Sequence, residues 1–177
     1  MTTYRVSVLL ARALVLILGL FSLAMRAHAD VAVIVPPSLE QGASQEELDQ
    51  AVEELTRLLK VQGFDVISGG QAGATAEVEQ ERGAFPTSYD PLYCPTPACA
   101  DEFRKIFDAT FAVQLTLFGD GSRATNVTVV FTEGANVFFT GTANIEGRDL
   151  RAAVRAACEL AREKQRDGVG PWLRATP

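Results

Sequence analysis

Hydrophobic and polar positions alternate in three successive segments of the second half of the chain. The alternating residues are Phe111, Val113, Leu115 and Leu117, then Val127, Val129 and Phe131, then Val137, Phe139, Gly141, Ala143 and Ile145. A period of two is typical of strands that place one face on a core. The segments between them, 119–122 and 133–136, combine glycine with Asp, Ser or Asn, which favour tight turns. The pattern therefore predicts an antiparallel meander of three strands.

The first half of the chain alternates short apolar runs with a helical pattern. Residues 31–35 form a continuous apolar run closed by two prolines, which indicates a strand buried on both faces. The sequence Ser-Gln-Glu-Glu at 44–47 is a capping box, and the helix that it opens has apolar residues at helical spacing until Gly63. Residues 64–67 predict a second short strand, which the glycines at 69–70 are expected to end.

The segment from 69 to 97 is predicted to be a long connection with a weak helical pattern at 74–82. A helix is predicted to open at Thr96 and Pro97, since proline suits the first helical position, and a last helix is predicted over about 149–167. Strands separated by helices are usually parallel, whereas strands joined by tight turns are antiparallel. We therefore predict an α/β (α+β) fold. It is a two-layer sandwich with a mixed five-stranded sheet, parallel first strands followed by an antiparallel meander, and helices mainly on one face.

The first 29 residues have the three-part pattern of a secretory signal peptide. Arg5 and Arg12 introduce an apolar run at 13–25, and residues 27–29 read Ala-His-Ala, a small-x-small cleavage site. A membrane anchor is the alternative, but the run is shorter than the roughly 20 apolar residues that a spanning helix needs. We expect cleavage after Ala29, no membrane span after cleavage, and a periplasmic or secreted location.

Cleavage would leave a single α/β domain over 30–168 and a short C-terminal tail over 169–177, in addition to the signal peptide over 1–29. The removed segment holds three of the 16 basic residues, none of the 22 acidic residues and the only histidine, so the net charge would change from −6 to −9. A chain of this size suits one domain with one core. Its negative charge argues against nucleic acid or anionic membrane as a partner, because both attract clustered Lys and Arg.

The residue types of the mature chain limit its chemistry. Without histidine, Ser-His and Cys-His nucleophilic catalysis lacks a base, and zinc sites usually need four Cys or His ligands. Residues 69–73 are rich in glycine but lack the Lys-Ser or Lys-Thr of a phosphate-binding loop. A carboxylate pair remains open, although most acidic residues fall on predicted helix surfaces. We predict that the protein is not an enzyme and has no catalytic residue, no metal site and no cofactor.

Three cysteines remain in the mature chain: Cys94, Cys99 and Cys158. In an oxidising compartment the local pair Cys94–Cys99 is expected to form a disulfide that fixes the end of the long connection to the next helix. A bridge from either cysteine to Cys158 would stabilise by about 4 kcal/mol rather than about 2 kcal/mol, but proximity favours the local bridge. Cys158 is then expected to be a buried free thiol. The alternative is redox catalysis at Cys99, although four residues separate the pair, instead of the two of thioredoxin-type sites.

The stretch 83–97 shows no periodicity and carries Phe85, Tyr89 and Tyr93 among four prolines. Long stretches of this kind in compact domains are often functional, and aromatic side chains are frequent anchors of interfaces. We therefore consider these three aromatic residues a candidate interaction loop. The alternative is that they fold back and cover an open end of the sheet.

The combination of these features resembles a known family. An apolar first strand, a capped helix, the Gly-Phe-Asp-Val-Ile segment at 63–67, a Cys-containing helix start and a meander with a closing helix resemble the N-terminal domain of TolB over about 31–166. Envelope modules of the curli-secretion lipoprotein and penicillin-binding-protein activator types are similar. The resemblance implies a non-enzymatic domain that acts through protein contacts in the periplasm. No propeller follows residue 170 in this sequence, so no partner-binding residue of TolB is carried over.

These observations predict an exported, non-enzymatic interaction module, accessory to a cell-envelope assembly, with an envelope protein as its partner. One alternative is a periplasmic protein that binds a small molecule or a peptide at the sheet edge or the loop. A thiol-disulfide enzyme is the third and less favoured hypothesis.

Overall fold

The computed structural model describes residues 30–40, 42–147 and 149–167. Within these ranges the strands are β1 (Val31–Ile34), β2 (Ser38–Glu40), β3 (Asp65–Ile67), β4 (Phe111–Gly119), β5 (Ala124–Gly134) and β6 (Val137–Asn144). The helices are α1 (Gln45–Val61), α2 (Gly69–Glu81), α3 (Pro97–Ile106) and α4 (Leu150–Asp167). None of these helices combines the length and apolar character needed to span a membrane. The predicted signal peptide and the predicted tail lie outside the described residues.

The sheet is mixed, with the strand order β3-β1-β4-β5-β6. Strand β1 pairs in parallel with both β3 and β4, and the meander β4-β5-β6 is antiparallel. The predicted fold class is therefore confirmed. The sheet differs from the prediction in having a sixth strand, β2, which pairs in parallel with β4 through Ser38 and Thr116. This strand has only three residues, of mixed polarity, so it is too short for a periodic pattern to predict it.

One face of the sheet, called the α1/α4 face, carries the larger core. Alternate residues of the strands point to it, because side chains along a strand point to opposite faces in turn. The two longest helices, α1 and α4, cover this face. The largest fully buried side chains on it are Phe111, Phe131, Ile34, Leu55, Leu115, Leu117 and Val113.

The opposite face, called the α2/α3 face, carries a second and smaller core. Val33 and Val35 of the first strand segment point to it, together with Ala112 of β4. The two shorter helices, α2 and α3, cover it and contribute Ala72 and Phe103, among others. The antiparallel half of the fold thus has its main core on one side, and the parallel half is covered on both.

The prediction of a long connection over 69–97 is wrong for the first part of this segment, because α2 begins at Gly69. Ser68 caps this helix and accepts a hydrogen bond from the backbone N–H of Gln71 at 3.4 Å. A Cβ atom on Gly69 would come within 3.1 Å of the carbonyl oxygen of Val35, and one on Gly73 within 3.3 Å of that of Pro91. These glycines permit a close approach of the helix to its neighbours, rather than a turn.

Gly141 has a similar role on the other face. A Cβ atom at this position would overlap the backbone carbonyl of Ala157 and lie 2.7 Å from the backbone nitrogen of Ala161. Helix α4 therefore rests with its backbone directly on β6, which is possible only with glycine in the strand.

The capping box at the start of α1 also ties this helix to the sheet. The carboxylate of Glu47 accepts hydrogen bonds from the backbone N–H of Ser44 at 2.8 Å and from the backbone N–H of Ala124, the first residue of β5, at 3.0 Å. The bond from Ser44 and, to a smaller extent, the bond from Ala124 hold the pKa of Glu47 below its ordinary value.

A second carboxylate joins α1 to α4. Glu54 is only 3% exposed and accepts two hydrogen bonds from Arg57, at 2.8 and 2.7 Å, and one from Arg155 of α4 at 3.1 Å. The bonds from Arg57 and the charge of both arginines outweigh burial and lower the pKa of Glu54.

Candidate functional site

The segment between α2 and α3, residues 82–96 and called the α2–α3 loop, begins by turning into the core. Gly83 has a φ of 77°, a left-handed conformation that glycine adopts easily, and the backbone N–H of Phe85 donates to Glu79 at 3.1 Å. Phe85 is consequently 1% exposed, with its ring centroid 5.0 Å from that of Phe103. Phe85 is a core residue in this structure and not the exposed anchor that the aromatic pattern suggested. It fits the alternative that the loop covers the sheet.

The middle of the α2–α3 loop is fixed by one side chain of α2. The amide nitrogen of Gln80 donates to the backbone carbonyls of Pro86 at 3.0 Å and of Tyr89 at 2.9 Å. The ring of Tyr89 lies 6.3 Å from that of Phe85 and packs against the smaller core. Tyr89 is therefore also partly withdrawn from the surface.

The tip of the loop presents an apolar surface. Residues 90–93 form a turn in which the carboxylate of Asp90 accepts from the N–H of Leu92 at 2.8 Å, and the N–H of Tyr93 donates to the carbonyl of Asp90 at 3.1 Å. Leu92 is 61% exposed and Tyr93 is 49% exposed. Among the exposed large hydrophobic residues of the described ranges, they alone are neighbours in sequence. They are called the Leu92–Tyr93 pair below.

The end of the loop is fixed to both α3 and the sheet. Cys94 and Cys99 form a disulfide with their Cα atoms 5.6 Å apart. The carbonyl of Cys94 accepts a buried hydrogen bond from the side chain of Gln114 in β4 at 2.7 Å. Thr96 caps α3 by accepting from the N–H of Cys99 at 3.3 Å. The exposed pair is thus held on a backbone with covalent and polar supports on its C-terminal side.

Leu92 was missed by the sequence reasoning, which weighed aromatic residues alone. A signal was present, because Asp-Pro at 90–91 favours the first two positions of a turn, which makes Leu92 the third residue of that turn and Tyr93 the fourth. Of the three predicted loop residues, the structure leaves only Tyr93 well exposed and adds Leu92 beside it.

The surroundings of the cysteines disfavour thiol-disulfide exchange. Cys94 is 5% exposed and Cys99 is 0% exposed, so both sulfurs that an external thiolate could attack are covered. Cys158 is the free cysteine of the described residues, and burial, followed by the charges of Glu159 and Glu54, raises its pKa to about 12. A thiol with this pKa is protonated and unreactive near neutral pH.

Helix α3, which supports the loop, contains an ion-pair cluster around the buried carboxylate of Asp101. Burial acts to raise the pKa of Asp101, but hydrogen bonds from Arg104 at 2.7 Å and from Lys105 at 3.1 Å outweigh burial and lower it. Asp101 is therefore ionised, and it holds both basic side chains against the helix. In the described part of the chain, no group of His, Cys, Asp or Glu is arranged to hold a metal ion.

A pocket of about 220 Å³ lies on the α1/α4 face, between the C-terminal half of α1 and α4. Its apolar lining includes Leu55, Leu59 and Phe131, and Arg162 and Glu159 lie at its polar side. No local sequence pattern predicts this pocket, because its lining residues come from two helices and a strand that are far apart along the chain.

No protein-family model and no curated protein matches the chain. Among solved structures, it is similar to the LpoB C-terminal domain from Salmonella enterica, with a TM-score of 0.46, 14% identity and coverage of 67% of this chain and 83% of that one. For the LpoB C-terminal domain from Escherichia coli the TM-score is 0.43 and the identity 14%, with coverage of 64% and 82%. For the lipoprotein GNA1162 from Neisseria meningitidis the TM-score is 0.39 and the identity 11%, with coverage of 79% of this chain and 99% of that one.

Proposed function

We propose that this protein is an exported, non-enzymatic interaction module whose Leu92–Tyr93 pair docks onto a protein of the cell envelope. The observation that carries the proposal is the exposure of two adjacent large hydrophobic side chains on a turn held at both ends. A tyrosine with a neighbouring leucine offers apolar area together with a hydroxyl, which suits the centre of an interface.

The supports of the turn matter for affinity. The disulfide, the bond from Gln114 and the turn at Asp90 hold the backbone before any partner arrives. A preorganised loop loses less conformational entropy on binding than a free one, so more of the contact energy becomes affinity. The rigidity of this loop therefore favours recognition over a role as a simple connection.

The location within the cell envelope rests on the sequence. The signal-peptide pattern over 1–29 supports export, and export supports a stable Cys94–Cys99 disulfide. The resemblance to the N-terminal domain of TolB supports a role as an accessory to an envelope assembly. The net charge supports a protein partner rather than nucleic acid.

Site-specific cross-linking tests this proposal. A photo-cross-linking amino acid placed at Tyr93 should give a discrete adduct with an envelope protein in living cells, whereas the same probe at Leu160, an exposed residue of α4 on the other face, should not. No adduct from position 93, or the same adduct from both positions, would contradict the proposal.

The adduct partner then allows affinity to be measured. The double variant Leu92→Ala/Tyr93→Ala should weaken binding roughly tenfold to a hundredfold, as expected for the loss of two central anchors. The matched control Val78→Ala/Leu160→Ala removes exposed hydrophobic side chains elsewhere and should bind as the unchanged protein does. Equal losses in both variants would show that the loop has no special role.

Small-molecule binding is a second candidate function, and it is favoured by the pocket of about 220 Å³ between α1 and α4. The pocket between α1 and α4 lies on the face opposite to the loop, so neither function requires the other.

A further inference from the structure

The pocket between α1 and α4 is an open groove, and its accessible surface lies at the C-terminal end of α1. Val61, the last residue of α1, is 67% exposed, and Leu58, which precedes it on the same helix, is half-buried. Gln62, Arg155 and Glu159 also line the pocket and are exposed. The surface that a further side chain could contact is therefore an apolar patch beside polar groups.

Helices α1 and α4 run side by side in the same direction. Two ion pairs join them, from Glu53 to Arg151 and from Glu54 to Arg155, and residue numbers increase along both helices towards the pocket. The C-terminal end of α1 and that of α4, at Asp167, consequently lie at the same end of the fold. The residues that follow Asp167 thus begin close to the open side of the pocket.

The segment that follows α4 carries a large apolar pair within reach of the pocket. Residues 168–173 read Gly-Val-Gly-Pro-Trp-Leu, and Trp172 is the only tryptophan of the chain. From Arg162, the last residue of the pocket lining, to Asp167 the helix rises about 7.5 Å, and residues 168–172 can span up to about 17 Å. The chain is therefore long enough for Trp172 to return to the end of α1.

We propose that the segment 168–173 docks in the pocket between α1 and α4. The indole of Trp172 covers Val61 and donates its N–H to the carboxylate of Glu159. An indole has an apolar body and one N–H donor, so it suits a surface that is apolar on one side and polar on the other. Contact with Val61 removes apolar area of both side chains from water. The segment competes with a small molecule for the pocket, and its docking does not depend on the loop acting as an interface.

Fluorescence tests the docking directly, because Trp172 is the only tryptophan reporter. In the purified protein its emission maximum should lie at a shorter wavelength than in urea, and acrylamide should quench it severalfold less. Val61→Lys should shift the emission towards that of the unfolded protein, since a charge then faces the ring. Val78→Lys, at a 44% exposed position near the end of α2, is the matched control and should change neither quantity. Both helix ends tolerate a cation. Emission that is the same with and without urea, or equal effects of the two lysines, would overturn the proposal.

A second copy of the chain is the alternative occupant, and protein concentration separates the two cases. Docking within one chain makes the emission maximum independent of concentration over a roughly hundredfold range, whereas docking on another copy requires association. A shift to longer wavelength on dilution, with a fall in the mass measured by light scattering, would overturn docking within the chain.

Hydrogen exchange at the end of α1 gives a readout that does not use the fluorophore. Trp172→Ala should accelerate amide exchange severalfold in residues 55–62, because this turn of α1 loses its cover, and should leave exchange in α3 unchanged. Trp172→Phe keeps an aromatic ring and should restore most of the protection. Exchange in 55–62 that is the same in Trp172→Ala as in the unchanged protein, or no recovery with phenylalanine, would contradict the docked position of the ring.

Discussion

The two faces of the sheet are stabilised by different means. Among the described residues, the core of the α1/α4 face contains 20 buried hydrophobic residues and that of the α2/α3 face contains 11. The smaller core is supplemented by a disulfide, by the bond from Gln114 to Cys94, and by the buried carboxylate of Asp101. The disulfide thus adds a covalent link to the side where fewer hydrophobic residues are buried.

The difference has a consequence for local stability. Segments with fewer buried apolar contacts open more readily than the rest of a domain. The α2–α3 loop belongs to the smaller core, so its order should depend on the disulfide more than on burial. The α1/α4 face should depend instead on close packing, and single substitutions there should affect the whole domain.

The largest expected effect comes from Gly141→Ala, which breaks the packing of the α1/α4 face. The added methyl group overlaps the backbone of α4 at Ala157, and a helix backbone cannot give way as a flexible side chain can. We expect the free energy of unfolding to fall by about 3 kcal/mol, measured by urea denaturation.

The matched control for this substitution is Gly134→Ala in β5. A Cβ atom at Gly134 meets nothing within 4 Å, so this variant should unfold close to the unchanged protein. If both variants lost the same stability, the close approach of α4 to β6 would not be the cause.

Removal of the disulfide should have an intermediate effect that is confined to the other face. Cys94→Ala/Cys99→Ala should lower the free energy of unfolding by about 2 kcal/mol, since the bridge closes a short loop. Hydrogen exchange measured by mass spectrometry should accelerate in residues 82–96 and in α3, and should stay slow in β4 and β5. Cys158→Ala, on the other face, should leave exchange in the loop unchanged. Uniform acceleration in the double variant would show that the two faces open as one unit.

The smallest expected effect is that of Glu54→Gln, which weakens the polar contact between α1 and α4. Arg57 and Arg155 are about half exposed, so the loss should be about 1 kcal/mol at neutral pH. The folded protein lowers the pKa of Glu54, so the ionised carboxylate stabilises the fold above its ordinary pKa of 4.5. The difference between the two proteins in urea denaturation should therefore be constant from pH 7 to about 5 and should shrink as the pH falls further.

Glu53→Gln is the control for this substitution. Glu53 pairs with Arg151 at 3.1 Å between the same two helices, but both side chains are well exposed. Such pairs contribute little, so no measurable change is expected. A difference in the free energy of unfolding between Glu54→Gln and the unchanged protein that stayed constant far below pH 4.5 would contradict the assigned role of this carboxylate.

The parts of the fold that were predictable from the sequence have strong local signals. The alternation in β4 and β5 and the capping box at Ser44 depend on residues close together in the chain, and the structure confirms both. Strand β2 was not predictable, because its order comes from pairing with Thr116 and its neighbours in β4. The start of α2 was predicted wrongly because glycine is a poor helix former. The reason for glycine at position 69 is its close contact with Val35, which only the tertiary structure shows.

The candidate sites were predictable to a smaller degree. Composition and periodicity located the loop, but whether Phe85 points inward depends on Phe103 in the following helix. The apolar pocket joins α1, β5 and α4, and no single segment reveals that Arg162 lies beside Leu59 and Phe131. Sites assembled from distant elements need the tertiary structure to be recognised.

The bond from Ala124 to Glu47 joins residues that are 77 positions apart, and it bears on the order of folding events. Glu47 can complete the capping box as soon as α1 starts to form, but its second bond is available only after the turn between β4 and β5 has closed. A nascent α1 therefore gains full stabilisation of its first turn only when the meander is present. We expect the two to become structured together in the rate-limiting step, so that Glu47→Gln slows refolding as well as speeding unfolding.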